Sequence, residues 1–316
     1  MPAPLVAPIV TGTPMEGIYT RAGREQLASF IAALAVLTLG TSSASGGDRG
    51  KLMEMVNAAS QVIHASSKVC EFPNHEYGLD HRPISMTYLP VGGVAKKYET
   101  LKAGERYCLA ATGGANIRDI DIDVKEEGSS RILAKERASG SVSILEFVPE
   151  STTSYEITIK LCDASRDGFC GFVALRDGGD YPVAEKYMLQ AMQNAINKAG
   201  FHPNKKLGFC TSPYGCWCMD LMVIDEGKMT TSAVANLGSG ERRVVAAGDE
   251  DASDLDLSFW QFDKGGDVRL DLDIEDDAHP TVEGSCRSGL QYRYKVSNET
   301  SVDAAAAAVC VLILVP

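Results

Sequence analysis

The sequence has little positive charge and no cluster of it. Its 316 residues hold 30 Lys and Arg against 42 Asp and Glu, which gives a formal net charge of -12. Nucleic acids and anionic membranes are bound through clustered Lys and Arg, so this balance argues against both kinds of partner. The hydrophobic fraction of 45% is that of a folded protein. The length predicts about two domains.

The sequence also lacks the short motifs of common catalytic sites. It has no G-x-S-x-G elbow, no Walker loop and no EF-hand spacing. Cys216-Trp217-Cys218 is a C-x-C and not the C-x-x-C of thioredoxin-like proteins. We therefore predict a non-catalytic protein. The alternative is an exported hydrolase or thiol-redox enzyme with an unrecognised site, centred on Cys70, His75 and His81 or on the loop from Cys210 to Cys218.

An apolar run near the N-terminus is too short to span a bilayer comfortably. Arg21 and Arg24 precede the run, which covers 27–39, and the small residues of 41–44 follow it. This order is typical of a secretory signal peptide that is cleaved after Ala44, and a buried N-terminal helix is the alternative. We expect a secreted, periplasmic or cell-surface protein with no transmembrane span in its mature chain.

Because we expect the chain to be exported to an oxidising compartment, we also expect disulfides among its nine cysteines. Cys162 and Cys170 flank a short loop and would staple a hairpin, whereas Cys286 and Cys310 stand alone in the second β-region. Cys108 competes for either pair. Three further candidates crowd one loop, namely Cys210, Cys216 and Cys218. Connectivity cannot be read from sequence, and an odd number leaves at least one cysteine free or paired with another chain.

Two segments have the spacing of amphipathic helices, with apolar residues three and four positions apart over 51–69 and 180–200. In the second, Asp180 is a suitable cap, Pro182 suits the first turn and Gly200 suits the end. Its apolar face consists of Met188, Leu189, Met192, Ala195, Ile196 and Ala199.

Most of the remaining chain alternates between apolar and polar residues, as half-buried antiparallel strands do. The alternation is clear over 119–124, 155–161, 255–259, 268–274 and 292–296, and a short strand is expected at 84–89. The segments 171–175 and 309–315 are nearly continuous apolar runs. We expect these two strands to be central in their sheets.

One β-rich unit occurs twice. Gly104-Glu105-Arg106 reappears as Gly240-Glu241-Arg242, and the Asp-aliphatic alternation from Asp119 reappears from Asp254. The sequence therefore predicts an α+β, mainly β fold of two antiparallel β-sandwich, jelly-roll-like modules, each preceded by an amphipathic helix. The predicted boundaries are 1–44 for the signal peptide, 45–98 for the first helix and linker, 99–177 for the first sandwich, 178–230 for the second helix and Cys-rich loop, and 231–316 for the second sandwich.

At these residues the chain resembles the bacterial pre-peptidase C-terminal domain, a small β-sandwich appended to secreted proteases. The resemblance is carried by the segments 103–107, 119–124, 155–159 and 168–172, and in the second copy by Gly240, 254–257, 288–292 and Val309. Arg243 stands where the family has Tyr. The resemblance implies an accessory role in a secreted protein, with calcium or matrix binding in some members. It brings no catalytic residues.

An acidic stretch from Asp249 to Asp277 contains the strongest chemical signal. Calcium takes six to eight oxygen ligands, which carboxylates on neighbouring loops supply. We predict a calcium site formed by two loops, with the ligands Asp249, Glu250, Asp251, Asp276 and Asp277. The alternative is a solvated strand face that adds only solubility.

Two further clusters are candidates for binding. Tyr214 and Trp217 would form an exposed aromatic platform for an extracellular protein or glycan, with burial in the core as the alternative. Zinc accepts the ligand types of Cys70, His75, Asp80 and His81, although their spacing matches no standard site. The predicted function is thus a secreted binding or structural protein, stabilised by calcium and capable of self-association. A subunit of an extracellular assembly is a further alternative.

Overall fold

The structure is a computed structural model that describes residues 54–65, 75–77, 84–178, 185–200, 208–210, 217–232, 235–262, 266–302 and 307–315. The predicted signal segment, Cys70, Asp80, His81, Tyr214 and Cys216 lie outside these residues. Helix α1 covers 54–65 and helix α2 covers Glu185–Gly200. The strands are β1 His75–Tyr77, β2 Ile84–Leu89, β3 Val94–Leu101, β4 Tyr107–Gly113, β5 Ile117–Glu126, β6 Ala134–Glu136, β7 Val142–Phe147, β8 Thr153–Ala164, β9 Gly168–Asp177, β10 Gly208–Phe209, β11 Met219–Ile224, β12 Lys228–Thr231, β13 Gly240–Gly248, β14 Ala252–Phe262, β15 Val268–Asp273, β16 Thr281–Cys286, β17 Gln291–Ser301 and β18 Ala307–Val315.

The strands form antiparallel sheets whose order repeats along the chain. One ten-stranded sheet runs β16-β13-β18-β11-β2-β9-β4-β7, with β1 beside β9 and β10 beside β18. Two four-stranded sheets run β3-β8-β5-β6 and β12-β17-β14-β15. The halves meet where β2 pairs with β11, with Ser85 opposite Asp220. Because β2 and β11 are equivalent strands of the two copies, this pair lies on an approximate two-fold axis.

The molecule has three layers. Helices α1 and α2 pack on one face of the ten-stranded sheet and share one apolar cluster with strands of both halves. The other face of that sheet packs against the two four-stranded sheets through two separate clusters, one in each half. The described residues thus form a mainly β fold of antiparallel sandwiches, as predicted.

Burial explains which strands are continuously apolar. Strands β9 and β18 lie in the interior of the ten-stranded sheet, as expected for central strands. The first eight residues of β9 are buried, because helices cover one face of the sheet and a four-stranded sheet covers the other. Strand β3, at the edge of a four-stranded sheet, alternates strictly between exposed and buried residues. The predicted strand at 84–89 is present as β2.

Both predicted helices are present in the described residues. The predicted apolar face of α2 is buried in the cluster under the helices, with Met188, Met192 and Ala195 at its centre. Helix α1 packs on β9 at Gly171, where a Cβ atom would lie 2.8 Å from the Cβ of Val62. No helix among the described residues is long and apolar enough to cross a bilayer.

The disulfide predictions need correction. Cys162, Cys170, Cys218 and Cys286 carry free thiols, as does Cys108. Cys162 and Cys170 cannot staple a hairpin, because β8 belongs to a four-stranded sheet and β9 to the ten-stranded one.

The proposed pair of Cys286 and Cys310 is excluded by strand register. Strand β13 separates the strands of the two residues, and Cys286 faces Gly240 whereas Cys310 faces Ala247, near its other end. Bridged cysteines have Cα atoms at most about 7 Å apart, whereas strands two positions apart are already about 9.6 Å apart. Cys210 is buried and disulfide-bonded.

Candidate cation site

Each half of the molecule carries an acidic site at the same place on its four-stranded sheet. The pairing between β5 and β8 shifts at Asp119, and the pairing between β14 and β17 shifts at Asp254. Such bulges re-aim side chains. The first acidic site consists of Asp119, Asp121 and Cys162, and the second acidic site consists of Asp254, Asp256 and Glu299. The three residues of each site occupy the same register positions in the two copies.

The first acidic site is neutralised from within the chain. Ligand atoms of Asp119, Asp121 and Cys162 lie within 4.8 Å of one another. Arg137 forms an ion pair with Asp121 at 3.2 Å and a second with Asp123. The thiol of Cys162 donates a hydrogen bond to Asp121 Oδ2 at 3.0 Å. Burial, followed by the hydrogen bond to Asp121 and the charge of Asp121, raises the pKa of this thiol to about 11, so without a metal ion it is protonated at neutral pH.

The second acidic site has no such cation among the residues that the structure describes. Glu136 of β6 and Asp273 of β15 occupy equivalent register positions, and the residues that follow them are Arg137 and Ile274. The place of the neutralising arginine is therefore taken by an isoleucine that is 63% exposed. The second copy keeps both aspartates, replaces Cys162 with Glu299 and loses the countercharge.

The carboxylates of the second site repel one another. Burial, followed by the charges of Asp276, Glu299 and Asp277, raises the pKa of Asp254. Burial, followed by Glu299 and Asp254, raises the pKa of Asp256. Asp254 Oδ1 is buried and has no hydrogen-bond partner in the described part of the chain. Carboxylate oxygens are the donors that a hard divalent cation such as calcium prefers. Within the described residues, however, the ligand atoms that lie within 4.8 Å of one another are those of the first site and not of the second.

The five residues predicted to bind calcium lie on two adjoining loops, because Gly248 N donates a hydrogen bond to the Ala278 carbonyl at 3.1 Å. Asp276 and Asp277 lie beside the second acidic site, where the Asp277 carbonyl accepts a hydrogen bond from Leu255 N at 2.9 Å. Glu250 and Asp251 are near Lys186 of α2, whose pKa rises through a hydrogen bond to Tyr187 and these two charges. Asp249 is buried, and its Oδ1 accepts a hydrogen bond from Asp251 N at 3.1 Å.

Sequence reasoning did not assign Glu299 to this site. Glu299 is separated from Asp254 by more than forty residues of chain and becomes a neighbour only through the β14–β17 pairing. The available signal was the repeat itself, since aligning the two copies places residue 299 at the position of residue 162.

A second polar group lies buried where the two halves meet. We call Ser85, Lys97, Glu99, Asp220 and Tyr294 the junction cluster. Lys97 Nζ donates a hydrogen bond to Ser85 and lies 3.6 Å from Glu99 and 4.0 Å from Asp220. Ser85 and Tyr294 both donate hydrogen bonds to Asp220. The cluster thus links β2 and β3 of one half to β11 and β17 of the other.

Trp217 belongs to the wall of this junction. Its indole N–H donates a hydrogen bond to the Lys96 carbonyl at 3.0 Å, and its ring packs against Phe172 at 6.2 Å between centroids. Lys97 Nζ lies 5.6 Å from the ring centroid. The side chain is partly buried against the core of the first half. Trp217 therefore lies at the junction of the two halves. Tyr214, which was predicted to form an aromatic platform with it, lies outside the described residues.

No family model and no curated relative matches the chain. Among solved structures it is similar to the pre-peptidase C-terminal domain of a collagenase from Bacillus anthracis, at 13% identity and a TM-score of 0.26, over 32% of this chain and 96% of that one. It is also similar to the exported protein XepA of PBSX, at 11% identity and a TM-score of 0.24, over 72% of this chain and 84% of that one. A tandem CBM22 domain of a Paenibacillus barcinonensis protein matches at 10% identity and a TM-score of 0.20, over 72% of this chain and 93% of that one. The assignment to mainly β sandwich proteins rests on the strands and sheets of the chain itself.

Proposed function

We propose that this chain is an exported, non-catalytic binding or structural protein with two modules like the pre-peptidase C-terminal domain, and that calcium stabilises its second module. The observation that carries the proposal is the second acidic site, with its raised carboxyl pKa values and the unpartnered Asp254 Oδ1. Asp254, Asp256, Glu299 and Asp276 would hold the ion, which would supply the countercharge that Arg137 supplies in the first copy.

The alternative of a thiol-redox enzyme gains no support from the described cysteines. Burial raises the pKa of Cys170 and of Cys286 to about 12, and it also raises the pKa of Cys218. The thiolate is the reactive form of cysteine. At neutral pH these groups are protonated thiols that pack in the core.

The test is thermal unfolding of the full chain in EDTA and in millimolar calcium. A ligand that binds only the folded state stabilises it by about 2.7 kcal/mol at a hundredfold excess over its Kd, which is about 4 °C in midpoint for a chain of this length that unfolds as one unit. Asp254→Asn with Asp256→Asn should abolish this shift. Asp119→Asn, at the equivalent position of the first copy, is the matched control and should retain it.

The same carboxylates predict a pH dependence. A carboxyl pKa raised above 3.8 means that the folded chain takes up protons before the unfolded chain does as the pH falls. In EDTA the contribution of Asp254 to the free energy of unfolding should therefore increase as the pH falls through its folded-state pKa, with no further gain below 3.8. Glu156 and Asp163, whose pKa values are lowered, contribute with the opposite sign, so the increase is measured as the difference between the wild type and Asp254→Asn. Asp254→Asn should lose this increase and be more stable than the wild type in EDTA at pH 7. A wild type that responds to neither calcium nor pH would contradict the proposal.

A further inference from the structure

The outward face of the second four-stranded sheet is divided by charge. Leu255, Leu257 and Phe259 of β14 are buried in the core, so the residues between them point away from it. Asp254 and Asp256 lie at one end of this outward face with Glu299 of β17, and we call this group the acidic end. The other end carries Trp260, Phe262, Arg269, Arg293 and Lys295, which we call the basic end.

The basic end contains cations stacked on aromatic rings. Lys295 Nζ lies 4.3 Å from the ring centroid of Trp260, and the guanidinium of Arg269 lies 5.9 Å from it. Arg293 lies 5.4 Å from the Phe262 centroid and forms an ion pair with Asp267. Within the described ranges, neither Arg269 nor Lys295 has a carboxylate partner. These cations are concentrated on one face of a chain whose net charge is -12.

Exposed apolar side chains share this face with the two charged ends. Leu272 pairs across the strands with Ser258, and Met229 pairs with Ser297. Both point outward, with exposed fractions of 38% for Leu272 and 59% for Met229. Phe262 is 37% exposed at the basic end. Met229 and Leu272 lie on the two edge strands of the sheet, so these apolar side chains flank the charged residues of the central strands and do not form one continuous patch.

The equivalent face of the first half is satisfied within the chain. Glu156 pairs with Lys96 at 2.9 Å and with Lys125 at 3.3 Å, and Arg137 neutralises Asp121 and Asp123. Lys125 occupies the register position of Trp260. The two copies have thus diverged at the same surface, and only the second has separated its charges into two ends.

We propose that this face pairs with the same face of a second copy of the chain, with strands antiparallel about a two-fold axis. Rotation about an axis across the strands places the acidic end of each copy over the basic end of the other. Asp256 and Trp260 are four residues apart on β14, as are Lys295 and Glu299 on β17, which separates the ends by about 13 Å. Both charge contacts form together because a two-fold interface is self-complementary.

The size of the face sets the expected strength of the dimer. The four strands have 4, 11, 11 and 6 residues, and at about 3.3 Å per residue and about 4.8 Å between strands they give a footprint of roughly 500 Å² per copy. A standard stable interface buries about 800 Å² per partner. The dimer is therefore weak and reversible, and salt weakens it further because its charges are exposed.

The test is sedimentation velocity of the full chain in EDTA, at 50 mM and at 500 mM salt, over a wide range of concentration. The wild type should dimerise at low salt and dissociate at high salt. Arg269→Glu with Lys295→Glu makes both ends acidic, and Asp256→Lys with Glu299→Lys makes both ends basic. Each variant should be monomeric alone, and an equimolar mixture should form a heterodimer, since the mixture restores both contacts. Lys125→Glu is the control on the first half and should dimerise like the wild type.

Several results would overturn this proposal. A wild type that stays monomeric at low salt, variants that still form homodimers, or a mixture that stays monomeric would each do so. A monomeric wild type that binds polygalacturonate through the basic end would assign the face to an anionic glycan instead. Circular dichroism of each variant checks that the fold is intact. The proposal goes beyond the calcium proposal, and because it is tested in EDTA either can fail alone.

Discussion

At the scale of single residues, Lys97 is the most unusual side chain of the fold. It occupies a buried position on β3, whose other inward positions are filled by Ala95, Glu99 and Leu101. A buried ammonium group requires partners, because its desolvation costs several kcal/mol. The junction cluster supplies them from strands of both halves. Lys97 therefore couples the position of the first sandwich to that of the second.

Removing the charge of Lys97 should be costly because Asp220 loses its buried cation and Glu99 loses one of its partners. We expect Lys97→Met to lower the free energy of unfolding by about 3 to 5 kcal/mol. Combining it with Glu99→Gln and Asp220→Asn should recover a large part of the loss, since the buried charges are then removed together. Urea unfolding measures both quantities.

The control for this prediction is the neighbouring residue. Lys96 is exposed and pairs with Glu156 at the surface. We expect Lys96→Met to cost less than about 1 kcal/mol, as surface ion pairs do. Equal losses for Lys96→Met and Lys97→Met would show that the junction cluster has no special role.

At the scale of elements, the packing of α1 on β9 depends on a missing side chain. Gly171 lies under Val62, and a methyl group at residue 171 would come within 2.8 Å of the Val62 Cβ. Real Cβ atoms do not approach this closely, so the helix has to move away from the sheet. The distance between α1 and β9 at this point therefore depends on the missing side chain of Gly171.

We expect Gly171→Ala to destabilise the protein by about 1 to 3 kcal/mol through overpacking. Val62→Ala should compensate in part, so that the double variant is more stable than the sum of the single losses predicts. Thermal unfolding of the four proteins gives the coupling. Gly140→Ala, whose nearest atom would be 3.5 Å away, is the control and should be tolerated. Strict additivity would contradict a direct helix–strand contact at this point.

At the scale of the whole molecule, the two sandwiches contact each other directly and are not connected only by a linker. The β2–β11 pair makes their inner sheets continuous, and α1 and α2 share one apolar cluster. An isolated sandwich would expose the strand edge and half of that cluster. The two halves should therefore unfold together.

The two tryptophans of the chain provide a test of this cooperativity. Trp217 reports on the junction and Trp260 on the outer face of the second half. We expect Trp217→Phe and Trp260→Phe, each with one remaining tryptophan, to give urea unfolding curves by fluorescence that coincide with circular dichroism. Two separated midpoints would indicate that the halves unfold independently.

The sequence by itself determined the local elements, the repeated unit and the acidic character of the second half. Backbone geometry repeats a face about every 3.6 residues in a helix and every two residues in a strand, and the buried face is apolar. The faces of α2, β5 and β14 could therefore be predicted without any knowledge of their partners. Continuous apolar runs also predicted that β9 and β18 are central, because burial on both faces leaves no polar side.

Only the tertiary structure decided which residues meet. Strand pairing places Glu299 beside Asp254 and separates Cys286 from Cys310. It also joins the two sandwiches where Ser85 pairs with Asp220. Lys97 and Glu99 alternate with exposed residues in the same way as any strand, and nothing local marks them as buried. The physical reason is that alternation fixes the face on which a side chain lies. The contacts on that face depend on strand order and register, which arise from parts of the chain far away in sequence.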